Sequence, residues 1–402
     1  MRLTRRVPPF ALAALSWCAI TAVTAPDVAR AAALDFVSAA IEGESGVRGL
    51  AGVLQVVVSP DGRNVYAVGP ASDAVAVFAR DPDDGALREL EVQRDGIGNV
   101  DGIADASGIA VSPDGGFVYV AGAGDDAVAS FARDAATGAL TFLEAQKDGT
   151  AGVEGIRHAR ALAISPDGAF VYASGQTSDA IAVFSRNTLT GWLTFVEVQR
   201  QGALGVTGLM EPLGLSISPD GAHLYVASGD QSALTVFARD RATGHLTSRS
   251  PWPATDLGSV GVHSVAISPD GRFVYAPRQG DDTIGIFRRD RASGALELED
   301  LIAQGLDGVE GLSGVLWAAV SPDGRRLYAA STLDHAVVAF ERDPRSGALA
   351  FLERQHGAPG RPCLAFARSV VVSPDGRNVY VAGASSNAVV AYRVGEPDRA
   401  AP

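Results

Sequence analysis

The tetrapeptide Ser-Pro-Asp-Gly occurs seven times in this chain, and this repetition restricts the fold more than any other feature. The copies begin at Ser59, Ser112, Ser165, Ser218, Ser268, Ser321 and Ser373, with spacings of 53, 53, 53, 50, 53 and 52 residues. Each copy follows a short apolar run and precedes an aliphatic residue and a tyrosine, as in Val118-Tyr119. A single period along a whole chain predicts a repeat architecture, so the 402 residues are not expected to divide into separate domains.

Each repeat predicts four short β-strands. In the second repeat, residues 108–111, 117–121, 128–131 and 140–145 are apolar or alternating runs bounded by clusters of Gly, Pro and Asp. Proline presets φ for the intervening turn, and glycine supplies the positive φ with which it ends. No window shows helical periodicity. Seven four-stranded antiparallel sheets predict an all-β fold, a seven-bladed β-propeller, because closing the ring removes the open sheet edges.

The two ends of the repeat array are predicted to close the ring together. The last repeat supplies only three strands, around residues 370–372, 379–382 and 389–392. The missing outer strand matches residues 33–37, Ala-Leu-Asp-Phe-Val, whose pattern resembles residues 139–143. The N-terminal strand should therefore complete the last blade, in a propeller that spans residues 32–394 and is followed by a short tail, residues 395–402.

Residues 1–31 have the pattern of a secretory signal peptide. Three arginines precede an apolar run of 14 residues at positions 10–23, and Ala29-Arg30-Ala31 forms a cleavage site. This pattern predicts a secreted or periplasmic protein. No later segment has 18 uninterrupted apolar residues, so no membrane insertion is expected after cleavage.

Charge and composition narrow the classes of partner. The formal net charge of -13 disfavours binding to nucleic acids and to anionic membrane surfaces. The six histidines show no paired spacing, so we expect no metal site, and no motif indicates a cofactor. Only Cys363 remains once Cys18 leaves with the signal peptide, which rules out an intramolecular disulfide. We expect a monomer with an unknown small molecule or protein as its partner.

The long connections between blades are one candidate ligand surface. Their glycine and aliphatic frame is constant, whereas the middle position varies, reading Arg48, Asp101, Glu154, Thr207 and Glu310. Variation within a fixed frame is typical of a ligand surface, and also of a solvated loop tip. The predicted ligand-binding residues are Arg48, Asp101, Arg157, Glu310 and Trp317.

A second candidate site lies five residues before each Ser-Pro-Asp-Gly, where the strands should meet the central channel. The residues there are Leu54, Ser107, Arg160, Leu213, His263, Leu316 and Arg368. A histidine beside a carboxylate and arginines supplies a general base and charge for an oxyanion. The predicted catalytic residues are His158, Arg160, His263, Arg368 and Glu154. Alternatively, the arginines pair with loop carboxylates and hold the ring together.

A further position, immediately before each third strand, is mostly polar. It reads Asp73, Asp126, Asp179, Ser232, Asp282, His335 and Asn387. Asp, Ser and Asn at one position are typical of side chains that cap a local turn, so we expect local caps here and not a ring of metal ligands.

The repeat resembles that of a known family. Residues 112–120, Ser-Pro-Asp-Gly-Gly-Phe-Val-Tyr-Val, and the matching unit at 373–381 are similar to YVTN-type repeats and to the seven-bladed lactonase propellers, the 6-phosphogluconolactonase-like family. The resemblance covers essentially the whole chain after the leader and implies the propeller fold. That family typically has a His-Ala-His element before one Ser-Pro-Asp-Gly. Here His158-Ala159-Arg160 keeps the first histidine, and Val262-His263-Ser264 keeps only the later one.

Three functions follow from these observations. A secreted scaffold that binds a small molecule or protein on its loop face is favoured, because the surfaces are regular and the catalytic set is incomplete. A lactone hydrolase acting at the channel mouth is the alternative that the polar cluster and the resemblance imply. A cell-envelope structural repeat protein is a third, which rests on the repeat and the signal peptide alone.

Overall fold

The computed structural model describes residues 33–229, 233–249, 261–357 and 363–395. Within these ranges, 28 strands form seven four-stranded antiparallel sheets arranged in a ring. The predicted seven-bladed β-propeller is therefore confirmed. The predicted signal peptide lies outside the described residues. Among the described residues, no helix has the length and apolarity that a membrane span requires.

The strands follow one another from the inside to the outside of each blade. Blade 1 contains β2 (Gln55–Val58), β3 (Asn64–Gly69), β4 (Ala74–Arg80) and β5 (Leu87–Arg94), with a short 3-10 helix at Pro70–Ser72. Blade 2 contains β6 (Ala106–Val111), β7 (Phe117–Gly122), β8 (Ala127–Arg133) and β9 (Leu140–Lys147). Blade 3 contains β10 (Ala159–Ile164), β11 (Phe170–Gly175), β12 (Ala180–Arg186) and β13 (Leu193–Arg200).

The remaining blades repeat this order. Blade 4 contains β14 (Pro212–Ile217), β15 (His223–Ser228), β16 (Ala233–Arg239) and β17 (Leu246–Ser248). Blade 5 contains β18 (Ala266–Ile267), β19 (Phe273–Arg278), β20 (Thr283–Arg289) and β21 (Leu296–Ala303). Blade 6 contains β22 (Val315–Val320), β23 (Arg326–Ser331), β24 (Ala336–Arg342) and β25 (Leu349–Gln355). Blade 7 contains β26 (Ala367–Val372), β27 (Asn378–Gly383), β28 (Ala388–Val394) and, as its outer strand, β1 (Leu34–Ile41).

The N-terminal strand closes the ring as the sequence predicts. β1 pairs with β28 from Leu34 opposite Val394 to Ile41 opposite Ala388. The backbone N–H of Leu34 also donates to Oε1 of Glu353 in blade 6, at 2.6 Å. The outer strands of blades 2 and 3 are held by the preceding blade through an equivalent bond at the same distance. The two ends of the chain are thus joined by the same interactions that join consecutive blades.

The hydrophobic core lies between the blades. The second strand of blade 1, β3, is buried along its whole length, because both of its faces pack against neighbouring sheets. Between blades 1 and 2, Tyr66 and Val77 pack with Ile109 and Phe131. Burial on both faces explains why these strands appear in the sequence as continuous apolar runs and not as alternating ones.

The Ser-Pro-Asp-Gly turn is both a local turn and a contact between blades. In the first copy, Ser59 Oγ donates to Asp61 Oδ1 at 2.6 Å. The second carboxylate oxygen of Asp61 lies 2.8 Å from Arg133 of blade 2. Arg133 Nε in turn donates to the hydroxyl of Tyr66 at 2.7 Å. An arginine ends the third strand of blades 1 to 6 with the period of the repeat, but its contact with the neighbouring blade was not predicted from the sequence.

The same Arg–Asp pair recurs at five interfaces between blades. The pairs are Arg80–Asp375, Arg133–Asp61, Arg186–Asp114, Arg239–Asp167 and Arg289–Asp220. At the interface between blades 6 and 7, Val394 occupies the position of the arginine. There Arg326 donates to the carbonyl oxygens of Ala33 at 3.1 Å and Gly395 at 2.8 Å, so a different arginine holds the closing strand.

The side chains before the third strands do cap a backbone group, but the prediction that this group belongs to the local turn is wrong. Asp126 Oδ1 accepts the backbone N–H of His158 in the next blade at 2.6 Å. Asp73, Asp179 and Asp282 make the equivalent bond to the following blade at 2.6–2.9 Å. These side chains cap a backbone group across the interface, a partner that sequence distance alone does not reveal. They fix the connection that leads into the first strand of each blade.

Candidate functional site

A small cavity lies where the first strands of the seven blades meet. Its lining includes one residue from each blade, at the seven positions that the sequence predicts for the channel mouth: Leu54, Ser107, Arg160, Leu213, His263, Leu316 and Arg368. Gln55, Ala161 and Trp317 complete the lining. The repeat period therefore located the cavity correctly.

The backbone turns sharply just before each strand enters the cavity wall. Two residues before each lining position, the chain is in the left-handed region, with φ between 49° and 68° at Gly52, Asp105, His158, Glu211, Gly261, Gly314 and Phe366. In blade 3, the N–H of His158 is held by Asp126, which fixes this turn. Arg160 is therefore placed in the cavity wall, whereas His158 stands at the turn and is not part of the lining.

Two arginines face the cavity without a carboxylate partner. Among the described residues, neither Arg160 nor Arg368 takes part in an ion pair or a side-chain hydrogen bond. Burial lowers the pKa of Arg160, and the more distant charge of Asp105 only partly opposes this. Burial, followed by the positive charge of Arg160, lowers the pKa of Arg368 to about 10. The guanidinium of Arg368 also lies over the ring of Phe366, 5.7 Å from its centre.

His263 faces the same cavity and is uncharged at neutral pH. Burial, and then the charges of Arg368 and Arg160, lower its pKa to about 4. A hydrogen bond with Gln279 opposes this shift. The preceding turn leaves little room for a side chain, since a Cβ at Gly261 would lie 3.2 Å from His263 Nε2. Gln279 was not identified from the sequence, because its loop varies in residue type from blade to blade and gives no periodic signal.

The other predicted residues lie on the loop surface, outside the cavity lining. Each of them except His158 has its own ion-pair partner. The pairs are Glu154–Arg200 at 2.9 Å, Arg157–Asp148 at 3.2 Å, Glu310–Arg354 at 3.2 Å, Asp101–Lys147 at 2.7 Å and Arg48–Glu89 at 3.8 Å. These residues therefore fit the alternative prediction, in which the charged groups pair with one another. Arg160 and Arg368 do not fit that prediction. The structure brings together Arg160, His263, Arg368 and Trp317.

One group of carboxylates has the spacing of metal ligands. Within the ranges that the structure describes, Asp95, Asp101 and Asp125 offer oxygens that lie within 4.8 Å of one another. The ammonium group of Lys147 already lies 2.7 Å from Asp101 and 3.8 Å from Asp125. Asp95 and Asp125 also accept backbone N–H groups, from Ile103 and Ala104. Lysine and the backbone thus satisfy much of this cluster.

The cavity combines three chemical features. A neutral imidazole can accept a proton, and two unpaired guanidinium groups can stabilise a negative charge on oxygen. Leu54, Leu213, Leu316 and Trp317 provide an apolar surface beside these groups. This arrangement suits a small molecule in which a negative charge develops on an oxygen atom.

Comparison with known proteins identifies similar chains. The family described as "Lactonase, 7-bladed beta-propeller" matches residues 41–207, 148–256, 250–366 and 301–400. A 6-phosphogluconolactonase of Pectobacterium carotovorum is 28% identical over 203 residues, which cover 49% of this chain and 56% of that protein. A 6-phosphogluconolactonase of Bacillus subtilis is 29% identical over 146 residues, covering 36% of this chain and 40% of that protein. The chain thus matches about half or less of the length of these curated relatives.

Solved structures share the fold along most of their length. A putative 6-phosphogluconolactonase from Bacteroides uniformis is 20% identical with a TM-score of 0.65, covering 86% of this chain and 92% of that one. A periplasmic gluconolactonase from Pseudomonas aeruginosa is 22% identical with a TM-score of 0.65, covering 86% and 93%. At these identities, the similarity establishes the architecture alone.

Proposed function

Because this chain belongs to the seven-bladed β-propeller lactonase family, we propose that it hydrolyses a lactone, a cyclic ester, in the cavity at the centre of the ring. The sequence alone favoured a binding module, whereas the relatives favour the hydrolytic alternative. The observation that carries the proposal is the presence of neutral His263 in one cavity with unpaired Arg160 and Arg368. These three residues supply a base and a positive field where the lactone carbonyl would lie.

His263 acts as the general base in this proposal. The imidazole is unprotonated at neutral pH and can take a proton from water as the water oxygen attacks the lactone carbonyl. The two arginine charges weaken this base in the free protein, and the negative charge that develops on the substrate oxygen offsets them during the reaction. The resulting imidazolium then gives that proton to the ring oxygen as the ester bond breaks. The products are one carboxylic acid group and one hydroxyl group on the same molecule. Gln279 holds the imidazole by a hydrogen bond and orients it for both steps.

Arg160 and Arg368 stabilise the oxyanion of the tetrahedral intermediate. Since no carboxylate among the described residues pairs with either guanidinium, their charge is available to the reacting oxygen. A positive charge in a partly buried site acts more strongly than it would in water. The guanidinium also presents several N–H donors in a fixed plane, which suits an oxygen that gains charge during the reaction.

The substrate class that we propose is a sugar-acid lactone. The names of the relatives refer to 6-phosphogluconolactone and gluconolactone hydrolysis. Trp317 provides an aromatic surface in the cavity wall, against which the C–H groups of a sugar ring can pack.

Proton release by the purified full chain tests this proposal. The panel contains glucono-1,5-lactone, 6-phosphogluconolactone and a simple aliphatic lactone, each corrected for its spontaneous hydrolysis. We expect His263→Gln and Arg160→Gln to lower kcat/KM by about 100-fold. The matched control is Arg63→Gln, which changes an exposed arginine beyond the far end of β2.

Two results would contradict the proposal. The first is the absence of turnover above background for every lactone, which would favour the hypothesis that the protein is a binding module. The second is full activity in a folded His263→Gln variant. If His158→Ala abolished turnover in that case, the base would lie at the rim of the cavity and not in its wall.

A further inference from the structure

We propose that Arg160 and Arg368 together hold the carboxylate of the hydroxy acid that hydrolysis produces, so that the cavity retains its product more tightly than its substrate. This inference rests on the proposed function and adds a property that turnover alone does not require. It concerns the charge that appears during the reaction. Whatever other groups the lactone carries, its product bears one more negative charge.

Arginines in this molecule are paired unequally. Five of the six arginines that end a third strand form ion pairs with aspartates of a neighbouring blade, and the sixth, Arg342, donates to the hydroxyl of Tyr275 and the carbonyl oxygen of Gly324. Near the loops, Arg157 and Arg200 also have acidic partners. Arg160 and Arg368, which face the cavity, have no acidic partner within the described residues. A chain with a formal net charge of -13 has an excess of acidic groups, and yet none of those that the structure describes pairs with these two arginines.

Arg160, His263 and Arg368 line the same cavity. In line with this geometry, the charge of Arg160 contributes to the lowered pKa of Arg368, and both charges contribute to the lowered pKa of His263. The three groups therefore interact electrostatically across the cavity. Two like charges that are partly withdrawn from water destabilise each other until an anion lies between them. A bound carboxylate would relieve this repulsion, whereas a neutral lactone would not.

The reaction itself leaves an anion in the cavity. Water adds to the carbonyl carbon, the bond to the ring oxygen breaks, and the new acid loses its proton to solvent at neutral pH. The carboxylate then remains where the oxyanion was stabilised. Its two oxygens suit the planar fork of a guanidinium, which binds carboxylates through parallel N–H bonds. The groups that stabilise the intermediate thus also bind the product.

Binding of the acid should also affect His263. An anion beside the imidazole opposes the effect of the two arginines, so the pKa of His263 should rise when the acid is bound. Between about pH 4 and pH 6, binding should therefore be accompanied by proton uptake. If the acid altered only the shape of the cavity, its binding would not be accompanied by proton uptake.

Titration calorimetry with the full chain provides the test, with gluconate and glucitol as probes. The two molecules have the same carbon chain and differ at C1, which is a carboxylate in gluconate and a neutral alcohol in glucitol. We expect gluconate to bind at least about tenfold more tightly. Arg160→Gln and Arg368→Gln should each remove this preference, while Arg63→Gln should keep it. Measurements at pH 5 in buffers of different ionisation enthalpy should show proton uptake that His263→Gln abolishes.

Several outcomes would overturn the inference. Equal binding of gluconate and glucitol, or no binding of gluconate at millimolar concentration, would exclude carboxylate retention. Inorganic phosphate that competes as strongly as gluconate would show a general anion site that does not select the product. Should an arginine variant fail to fold, competitive inhibition of wild-type turnover by gluconate but not by glucitol provides the second measurement, and equal inhibition by both would contradict the inference.

The failure of this inference can be distinguished from failure of the proposed function. Lactone turnover without gluconate binding would leave the hydrolase in place and refute product retention. Arginine-dependent gluconate binding without turnover of any lactone would refute the hydrolase, and with it the identification of the acid as a product.

Discussion

Arg133 of blade 2 forms an ion pair at 2.8 Å with Asp61 of blade 1, although 72 residues separate them in the chain. The side chain of Arg133 is 1% exposed and that of Asp61 is 34% exposed. Burial alone would raise the pKa of Asp61, but hydrogen bonds from Ser59 and Arg133 outweigh it and lower the pKa. The residue that defines the repeat motif therefore also joins neighbouring blades, and four further interfaces have the same pair.

The first prediction concerns this pair. Arg133→Leu removes hydrogen bonds to Asp61, Asn64, Tyr66 and Gly115 from a buried interface, and should lower the free energy of unfolding by about 3 kcal/mol. Urea denaturation measures the change. Arg63→Leu alters an exposed arginine of the adjoining turn and should stay within about 0.5 kcal/mol of the wild type. Equal stability of the two variants would show that the interface does not depend on the ion pair.

The second prediction concerns the closure of the ring. Arg326→Met removes the bonds to the carbonyl oxygens of Ala33 and Gly395, and should lower the free energy of unfolding by about 2 kcal/mol. It should also speed amide hydrogen exchange in β1, because that strand opens more often when it is less firmly held. The neighbouring exposed Arg325→Met is the control. Unchanged exchange in β1 would mean that its backbone pairing with β28 alone secures the ring.

The third prediction concerns a close approach of two backbone segments. A Cβ at Gly175 would lie 2.2 Å from the carbonyl oxygen of Gly155, so Gly175→Ala forces the connection away from its strand. We expect a loss of about 3 kcal/mol or a failure to fold. Gly116→Ala is the matched control, since its Cβ would meet only a side-chain oxygen at 3.4 Å. Gly116→Ala should leave the unfolding midpoint near that of the wild type. If Gly116→Ala lost as much stability as Gly175→Ala, the close approach at Gly175 would not be the cause of the loss.

The fourth prediction concerns acid stability. The pKa of His263 is about 4 in the folded protein and near the ordinary value of 6.5 when unfolded. Above pH 6.5 the residue is neutral in both states and adds no pH dependence. As the pH falls from 6.5 towards 4, the unfolded chain binds a proton that the folded chain does not, so stability declines. Below pH 4 His263 is protonated in both the folded and the unfolded protein, so it no longer contributes to the decline in stability.

Urea midpoints at pH 7, 6, 5 and 4.5 measure this effect. His263→Gln should remove part of the decline between pH 6.5 and pH 4 and leave the midpoint at pH 7 less affected. His158→Gln serves as the control, because His158 is not part of the cavity lining. An identical decline in the wild type and His263→Gln would show that His263 titrates normally in the folded protein.

The period of the repeat was sufficient to predict most of the architecture. A turn sequence that recurs about every 53 residues, flanked by apolar runs, predicts one four-stranded sheet per repeat, and the incomplete last repeat predicts closure by the N terminus. The same period identified seven of the ten residues that line the cavity, because equivalent positions in a closed ring lie at equal distances from its centre. Local composition and periodicity carry this information, so no tertiary structure was needed to obtain it.

The partners of the charged side chains were decided only by the tertiary structure. From the sequence, Glu154, Arg157, Arg160 and Arg368 were equivalent candidates at one mouth. The structure gives the first two an ion-pair partner each and leaves the last two facing the cavity, with no such partner among the described residues. The same holds for Asp126, which caps the next blade and not its own turn. Such pairings depend on distances between blades, and residues far apart in sequence become neighbours only when the ring has closed.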